Sequence, residues 1–139
     1  MWWRLKRSQF AKHTGLKKKR MMKKIVDSGG VPGLLAYEDG EPAGWCSVAT
    51  RETFPVLDRS WTLKRIDDRP VWSVVCFYVA KPFRSKGLMT SLLKAAVEYA
   101  KRHGARIAEG YPVDLKGRPL SGSEGFTGVA SVFRRAGFV

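Results

Sequence analysis

Between Pro70 and Pro82 the chain runs Val71-Trp72-Ser73-Val74-Val75-Cys76-Phe77-Tyr78-Val79, its most strand-like stretch. β-Branched and aromatic side chains suit a pleated surface. Strict alternation of apolar and polar residues would leave one face wet. Near-continuous apolarity predicts instead a central strand covered on both sides. Such a strand needs helices over it, so the run points to a layered α/β domain.

The flanking pattern agrees. Residues 87–103 carry Leu88, Leu92, Leu93, Ala96, Tyr99 and Ala100 at helical spacing, with Gly104 as the stop. Residues 16–28 read as a second helix, with Met21, Met22, Ile25 and Val26 as its apolar stripe and Gly29-Gly30 after it. Asp39-Gly40 is a hairpin signal between strands at 34–37 and 43–50. A strand is expected at 106–111, a polar loop at 113–123 and a closing helix at 124–136. Residues 51–70, charged and with two prolines, read as an irregular excursion. Residues 1–15 show no clear period. At 139 residues and 44% apolar composition the chain is expected to form a single domain, residues 1–139, and wholesale disorder is excluded.

The net charge is +14, and it is uneven. Residues 1–30 hold ten Lys or Arg and one acid, Asp27, with the densest run at Lys17-Lys18-Lys19-Arg20 and Lys23-Lys24. Such a face attracts polyanions. A basic nucleic-acid-binding domain is therefore an alternative reading, but it rests on electrostatics alone, because no RNP-like, KH-like or zinc-finger spacing accompanies the charge. Cys46 and Cys76 lie in apolar runs without metal-ligand spacing, so they read as inert buried thiols and no metal is expected. No apolar run reaches the ~20 residues of a membrane span, and no secretory leader is apparent; a cytoplasmic location with no membrane partner is the expectation.

The chemistry-bearing stretch is Val79-Ala80-Lys81-Pro82-Phe83-Arg84-Ser85-Lys86-Gly87-Leu88-Met89. A central strand enters a basic loop, and the loop opens directly into a long helix. The unpaired N–H groups of a helix N-terminus carry partial positive charge. Arg84 and Lys86 add full charges there, and Gly87 allows a ligand to approach the backbone. This is a phosphate cradle in principle. It has neither the GxxxxGK[ST] nor the GxGxxG spacing.

The same stretch resembles the signature of the GNAT superfamily of N-acetyltransferases: an apolar strand ending near Val79 and Pro82, the loop Arg84-Ser85-Lys86-Gly87-Leu88-Met89, and a helix with the pair Leu92-Leu93. The end of the chain, Phe133-Arg134-Arg135-Ala136-Gly137-Phe138, is similar to the turn that closes the family's last helix. The resemblance covers about residues 16–139 and implies a GNAT-like mixed sheet with flanking helices and a splayed central strand pair. It implies acetyl-CoA as cofactor and transfer of its acetyl group to the amine of a small molecule or peptide in a ternary complex. The diphosphate would sit on Arg84, Ser85, Lys86, Gly87, Leu88 and Met89. The pantetheine arm would pair with the backbone of Phe77, Tyr78 and Val79, and an N–H near Val79 would steady the charge on the carbonyl oxygen.

Departures from the family pattern are also visible. Phe133 stands where many members have a proton-donating Tyr, Phe126 where an Asn is common, and Met89 where the phosphate loop has a small residue. As replacements we expect Glu109 as base and Tyr111 as acid, two residues apart and so on one face of their strand. Similar domains have an element before residue 16 and strands after the closing Gly-Phe, so the resemblance implies either a domain shortened at both ends or an exposed sheet edge that a homodimer completes. A non-catalytic, CoA-binding version of the fold is the second alternative.

Overall fold

The computed structural model describes residues 1–121 and 124–139. Gly122, counted above in the polar loop, lies outside the described residues. The centre is a four-stranded sheet in the order β1-β2-β3-β4. β1 (Leu34–Glu38) and β2 (Glu41–Thr50) form a hairpin. Its turn residues Asp39 and Gly40 both take positive φ, 51° and 80°, as the tight hairpin turn demands. β3 (Trp72–Val79) runs antiparallel to β2, and β4 (Ala108–Gly110) runs parallel to β3.

β3 is covered on both faces, as its composition predicts. On one side Cys46, Val48, Val74 and Phe77 pack with Leu92, Leu93, Ala96 and Ala100 of α4 (Leu88–Arg102) and with Val132 and Phe133 of α5 (Ala130–Arg135). On the other, Val75 meets Phe54 and Leu57 of the excursion, with Trp3, Leu63, Cys76 and Tyr111 around them. A register shift between Ser47 and Val48 places one extra residue on β3. This bulge puts the neighbours Val75 and Cys76 against the same cluster, where a regular strand would send them to opposite faces.

Several expectations change here. The unpatterned start contains a short helix, α1 (Arg7–Lys12), and a 3-10 turn, Trp2–Arg4. Trp3 packs against the distant Phe54–Leu57–Val75 cluster and Leu5 is buried, and neither leaves a local period. The second predicted helix is α2 (Gly15–Asp27), started by Thr14, whose hydroxyl accepts from the Lys17 N–H at 3.3 Å. None of its residues is fully buried, and Val26 is exposed. The excursion holds a 3-10 turn, Arg51–Thr53, and α3 (Pro55–Arg59). The closing helix is not continuous. Glu124–Thr127 is a 3-10 turn, Gly128 takes a φ of +85°, and a bridge between Val113 and Val129 precedes α5.

The strand expected at 106–111 shrinks to three residues, pairing Trp72 with Ala108, Ser73 with Glu109 and Val74 with Gly110. Beyond Val74 the two strands part. The ring of Phe133 fills the wedge, 6.0 Å from Phe77 and edge-on to it. A Cβ on Gly110 would lie 2.0 Å from Phe133 Cε1, a ring already locked in the core. Gly110→Ala is therefore expected to destabilise the fold by about 1–3 kcal/mol, the usual cost of overpacking. Urea unfolding checks this, and Phe133→Leu in the same chain should recover part of the loss.

Candidate functional site

The parting of β3 from β4 leaves residues 75–79 without a strand neighbour on one side. The Ala80 N–H donates to the Ala43 carbonyl at 2.9 Å, which sets the phase of the β2–β3 ladder. Gly44/Val79 and Cys46/Phe77 are then non-hydrogen-bonded pairs. The amide groups of Phe77 and Val79 accordingly point away from β2, toward the gap. Those of Tyr78 point to Trp45, so only its half-exposed ring is free. Arg84 Nε donates to the Val79 carbonyl at 2.9 Å, leaving the Val79 N–H and the Phe77 amide pair at the edge.

After β3, a 3-10 turn (Lys81–Phe83) and two residues of positive φ, Ser85 at 62° and Gly87 at 78°, swing the chain into α4. Gly87 is the N-cap, and no side chain caps the helix. The first α4 bonds begin with the N–H groups of Thr90 and Ser91, which donate to Gly87. Among the described residues, the N–H groups of residues 85–89 have no partner. A cleft of about 500 Å³ runs along this surface. It is lined by Phe77, Tyr78, Val79, Arg84, Ser85, Gly87, Leu88 and Met89 of the predicted site, with Phe126, Val129, Val132 and Arg135 opposite. Lys86 is not part of the lining; its ammonium lies 5.7 Å from the centre of the Phe83 ring. Met89 also packs against the core, so its side chain need not block the helix end. Arg135 was not foreseen from the sequence: it is brought to the cleft by α5 from the far end of the chain.

Glu109 and Tyr111 do not line this cleft. They were expected to face it, but they sit where β3 and β4 are still joined, with Tyr111 against the Phe54–Leu57–Val75 cluster. Both are drawn there by Arg51, whose side chain is only 1% exposed. Arg51 Nη1 donates to Glu109 Oε1 at 2.6 Å and to the Tyr111 hydroxyl at 3.0 Å, Nε to Asp58 at 3.1 Å, and Nη2 to the Leu63 carbonyl at 2.5 Å. Ser73 Oγ adds a donor to Glu109 at 3.0 Å, and the Tyr111 hydroxyl donates to the same Oε1. Burial, reinforced by the bond to Glu109, pushes the Tyr111 hydroxyl well above the usual tyrosine range. Its proton is therefore firmly held. Among the described residues Glu109 Oε2 accepts no bond, and the side chain stays 22% exposed. Arg51 was hidden in the charged excursion, and nothing in its immediate neighbours marks it as buried.

A second cavity, of about 410 Å³, opens on the face of the sheet that carries Cys76 and Trp3. Trp2, Trp3, Arg4, Met22, Trp45 and Cys76 line it, and it shares Phe126 with the cleft. Burial raises the Cys76 thiol above its ordinary range, which fits an unreactive side chain. The two cavities thus approach the gap between β3 and β4 from opposite faces.

The sequence profile of the acetyltransferase (GNAT) family matches residues 2–111. The chain belongs to that family. Over 71 residues this GNAT domain is 34% identical to an uncharacterized N-acetyltransferase of Methanocaldococcus jannaschii, a match covering 51% of the chain and 27% of that relative's length. Among solved structures it is similar to an aminoglycoside 6'-N-acetyltransferase of Acinetobacter haemolyticus, with a TM-score of 0.56, 16% identity and coverage of 92% of this chain and 76% of the other. It is equally similar to the aminoglycoside N-acetyltransferase AAC(6')-Iy held with a bisubstrate analogue, with a TM-score of 0.58 and 18% identity over 92% of this chain and 75% of the other. The fold shared with these structures is a mixed sheet with flanking helices. Among the described residues, no helix is long and apolar enough to cross a membrane.

Proposed function

We propose that this GNAT domain moves an acetyl group from acetyl-CoA to a primary amine, with both bound at once. The observation that carries the reading is the cleft itself. It joins a free strand edge to an uncapped helix N-terminus of unpaired amides, with Arg84 and Arg135 beside it and no acidic residue among its described lining. A long, thin, polyanionic thioester fits such a surface. The N–H groups of Gly87, Leu88 and Met89, with Ser85, would hold its diphosphate, assisted by Arg84 and the nearby charge of Lys86. The Phe77 amide pair and the Val79 N–H would hold its arm as an added strand. When bound, the cofactor supplies an activated acyl carbonyl. An N–H at this edge that the arm leaves unpaired would be a preorganised donor for charge developing on that carbonyl's oxygen.

The acceptor amine must shed a proton, and Glu109, which lines neither cavity, is our candidate base acting through one intervening water. Arg51, Ser73 and Tyr111 fix Oε1, which leaves Oε2 to receive the proton. We reassign Tyr111 from acid to positioning residue. Its one hydroxyl proton is committed to Glu109 and too tightly held to serve the departing sulfur. A thiol with an ordinary pKa near 8.5 leaves adequately without a dedicated acid.

Two measurements on the purified protein test this reading. Coenzyme A at a hundredfold excess over its Kd should stabilise the fold by ~2.7 kcal/mol. Thiol release from acetyl-CoA should require an amine. Glu109→Gln, which preserves shape and hydrogen bonding, should lower kcat by about 10²–10⁴ while leaving the stabilisation by coenzyme A intact. Turnover within threefold of the parent would remove Glu109 from the mechanism. Stabilisation without turnover by any amine would favour the non-catalytic alternative.

A further inference from the structure

We infer that the acceptor is a small amine joined to an aromatic or apolar body that bears an acidic group, seated in the cavity beside Trp2, Trp3 and Trp45 with Arg4 as its anion contact. This rests on the acetyltransferase reading and narrows it.

The position of the cavity comes first. It lies on the face opposite α4 and α5, meets the cofactor cleft at Phe126, and includes Cys76, the residue before the free edge at Phe77. A molecule placed there reaches the gap between the strands from the side the cofactor does not use. Its lining sets the chemistry. Three indoles and Met22 offer flat, polarisable surface suited to a ring. Among the described residues no carboxylate lines it.

Arg4 is the selective feature. Its Nη2 donates to the Pro32 carbonyl at 3.1 Å, and its guanidinium lies 5.0 Å from the centre of the Phe54 ring. Among the described residues it has no ion-pair partner, and most of its donors stay open. Arg51, more deeply buried in the same layer, shows the contrast: it holds two carboxylates. Burial weakens the hold of Arg4 on its proton, the mark of a cation short of compensation. A carboxylate or phosphate on the bound amine would supply it. The surroundings reinforce the choice. α2, which contributes Met22, carries six Lys or Arg, and its one acid, Asp27, is already paired with Lys23 at 2.8 Å. A positive field of this kind draws in an acidic amine and repels a polycation such as an aminoglycoside.

Matched amines decide the matter. L-Phenylalanine is compared with 2-phenylethylamine, and 4-(aminomethyl)benzoate with benzylamine, each titrated against tryptophan emission in the presence of coenzyme A. The same amines, with kanamycin A added, are then assayed for thiol release from acetyl-CoA. We expect the acidic member of at least one pair to bind tenfold or more tightly than its neutral partner and to outrun kanamycin A. Arg4→Gln should erase that preference by weakening the acidic member alone. Equal or tighter binding of both neutral members, preference for kanamycin A, or an Arg4→Gln effect shared by both members of a pair would overturn the inference. Should Arg4→Gln fail to fold, the preferences of the parent chain still judge it. A protein that coenzyme A does not stabilise would lose the acetyltransferase reading, while the emission titrations would still report on the pocket.

Discussion

Replacing Gly87 by Glu is expected to weaken coenzyme A binding by at least a hundredfold while leaving the fold in place. Gly87 caps α4 in the left-handed region at φ +78°, and a Cβ built there meets nothing within 4 Å. A side chain is therefore not excluded by crowding. It meets a backbone penalty of about 1–2 kcal/mol, which the domain should survive. The loss of binding has another cause. The glutamate would bring a full negative charge and bulk to the unpaired amides proposed to hold the diphosphate. Gly87→Asn is the control, since asparagine tolerates this conformation and is neutral. Its affinity, measured by calorimetry, should stay within about tenfold of the parent. If both variants bind like the parent, residues 84–89 are not the phosphate seat.

The second large effect is on stability. Arg51→Met should destabilise the domain by about 3–5 kcal/mol, because it removes the buried cation that joins Glu109, Tyr111, Asp58 and the Leu63 carbonyl and leaves Glu109 without an ion-pair partner among the described residues, whereas the half-exposed Asp58 keeps Arg65 at 3.6 Å. An exposed pair gives the comparison: Arg69→Met breaks a contact with Asp67 at 2.6 Å in open solvent and should leave the urea midpoint unchanged. In a chain of this size the Arg51 loss corresponds to a fall in Tm of about 10 °C or more. Arg51→Met with Glu109→Gln should recover part of it, since the neutral amide no longer needs a cation. A midpoint shift below about 1 kcal/mol would mean that Arg51 does not hold the two strands' polar ends together.

What the sequence disclosed and what it concealed follow from the range of the interactions. The strand, the basic turn and the helix start after it were legible because their parts are consecutive: an apolar strand, a proline, two cations, a glycine and a helix start within residues 71–103. The splay of β3 from β4 was implied by the family resemblance. Its physical cause, Phe133 wedged against Phe77 and Gly110, joins residues far apart in sequence and left no local mark. The same holds for Arg51, whose partners Glu109 and Tyr111 lie 58 and 60 residues away. Glu109 and Tyr111 do meet, as their two-residue spacing suggests, although Tyr111 lies just past β4, and the spacing could not show that a buried guanidinium turns them away from the cleft. The bulge in β3 changes which neighbour each amide faces, and so only Phe77 and Val79 offer backbone to the gap while Tyr78 does not. The break at Gly128 was missed because the residues after it keep helical character up to Arg135. In residues 1–15, Leu5 is buried and Trp3 is half-buried against the Phe54–Leu57–Val75 cluster, and isolated anchors carry no period.

On the proposed function, the amides opening α4 and the free edge of β3 form one continuous seat for coenzyme A. Amide hydrogen exchange with and without the cofactor tests it most directly. Slowed exchange is expected at residues 85–89 and at Phe77 and Val79, with residues 15–27 of the basic helix unchanged. Protection confined to that basic helix, or none at the strand edge and the loop at saturating coenzyme A, would contradict it.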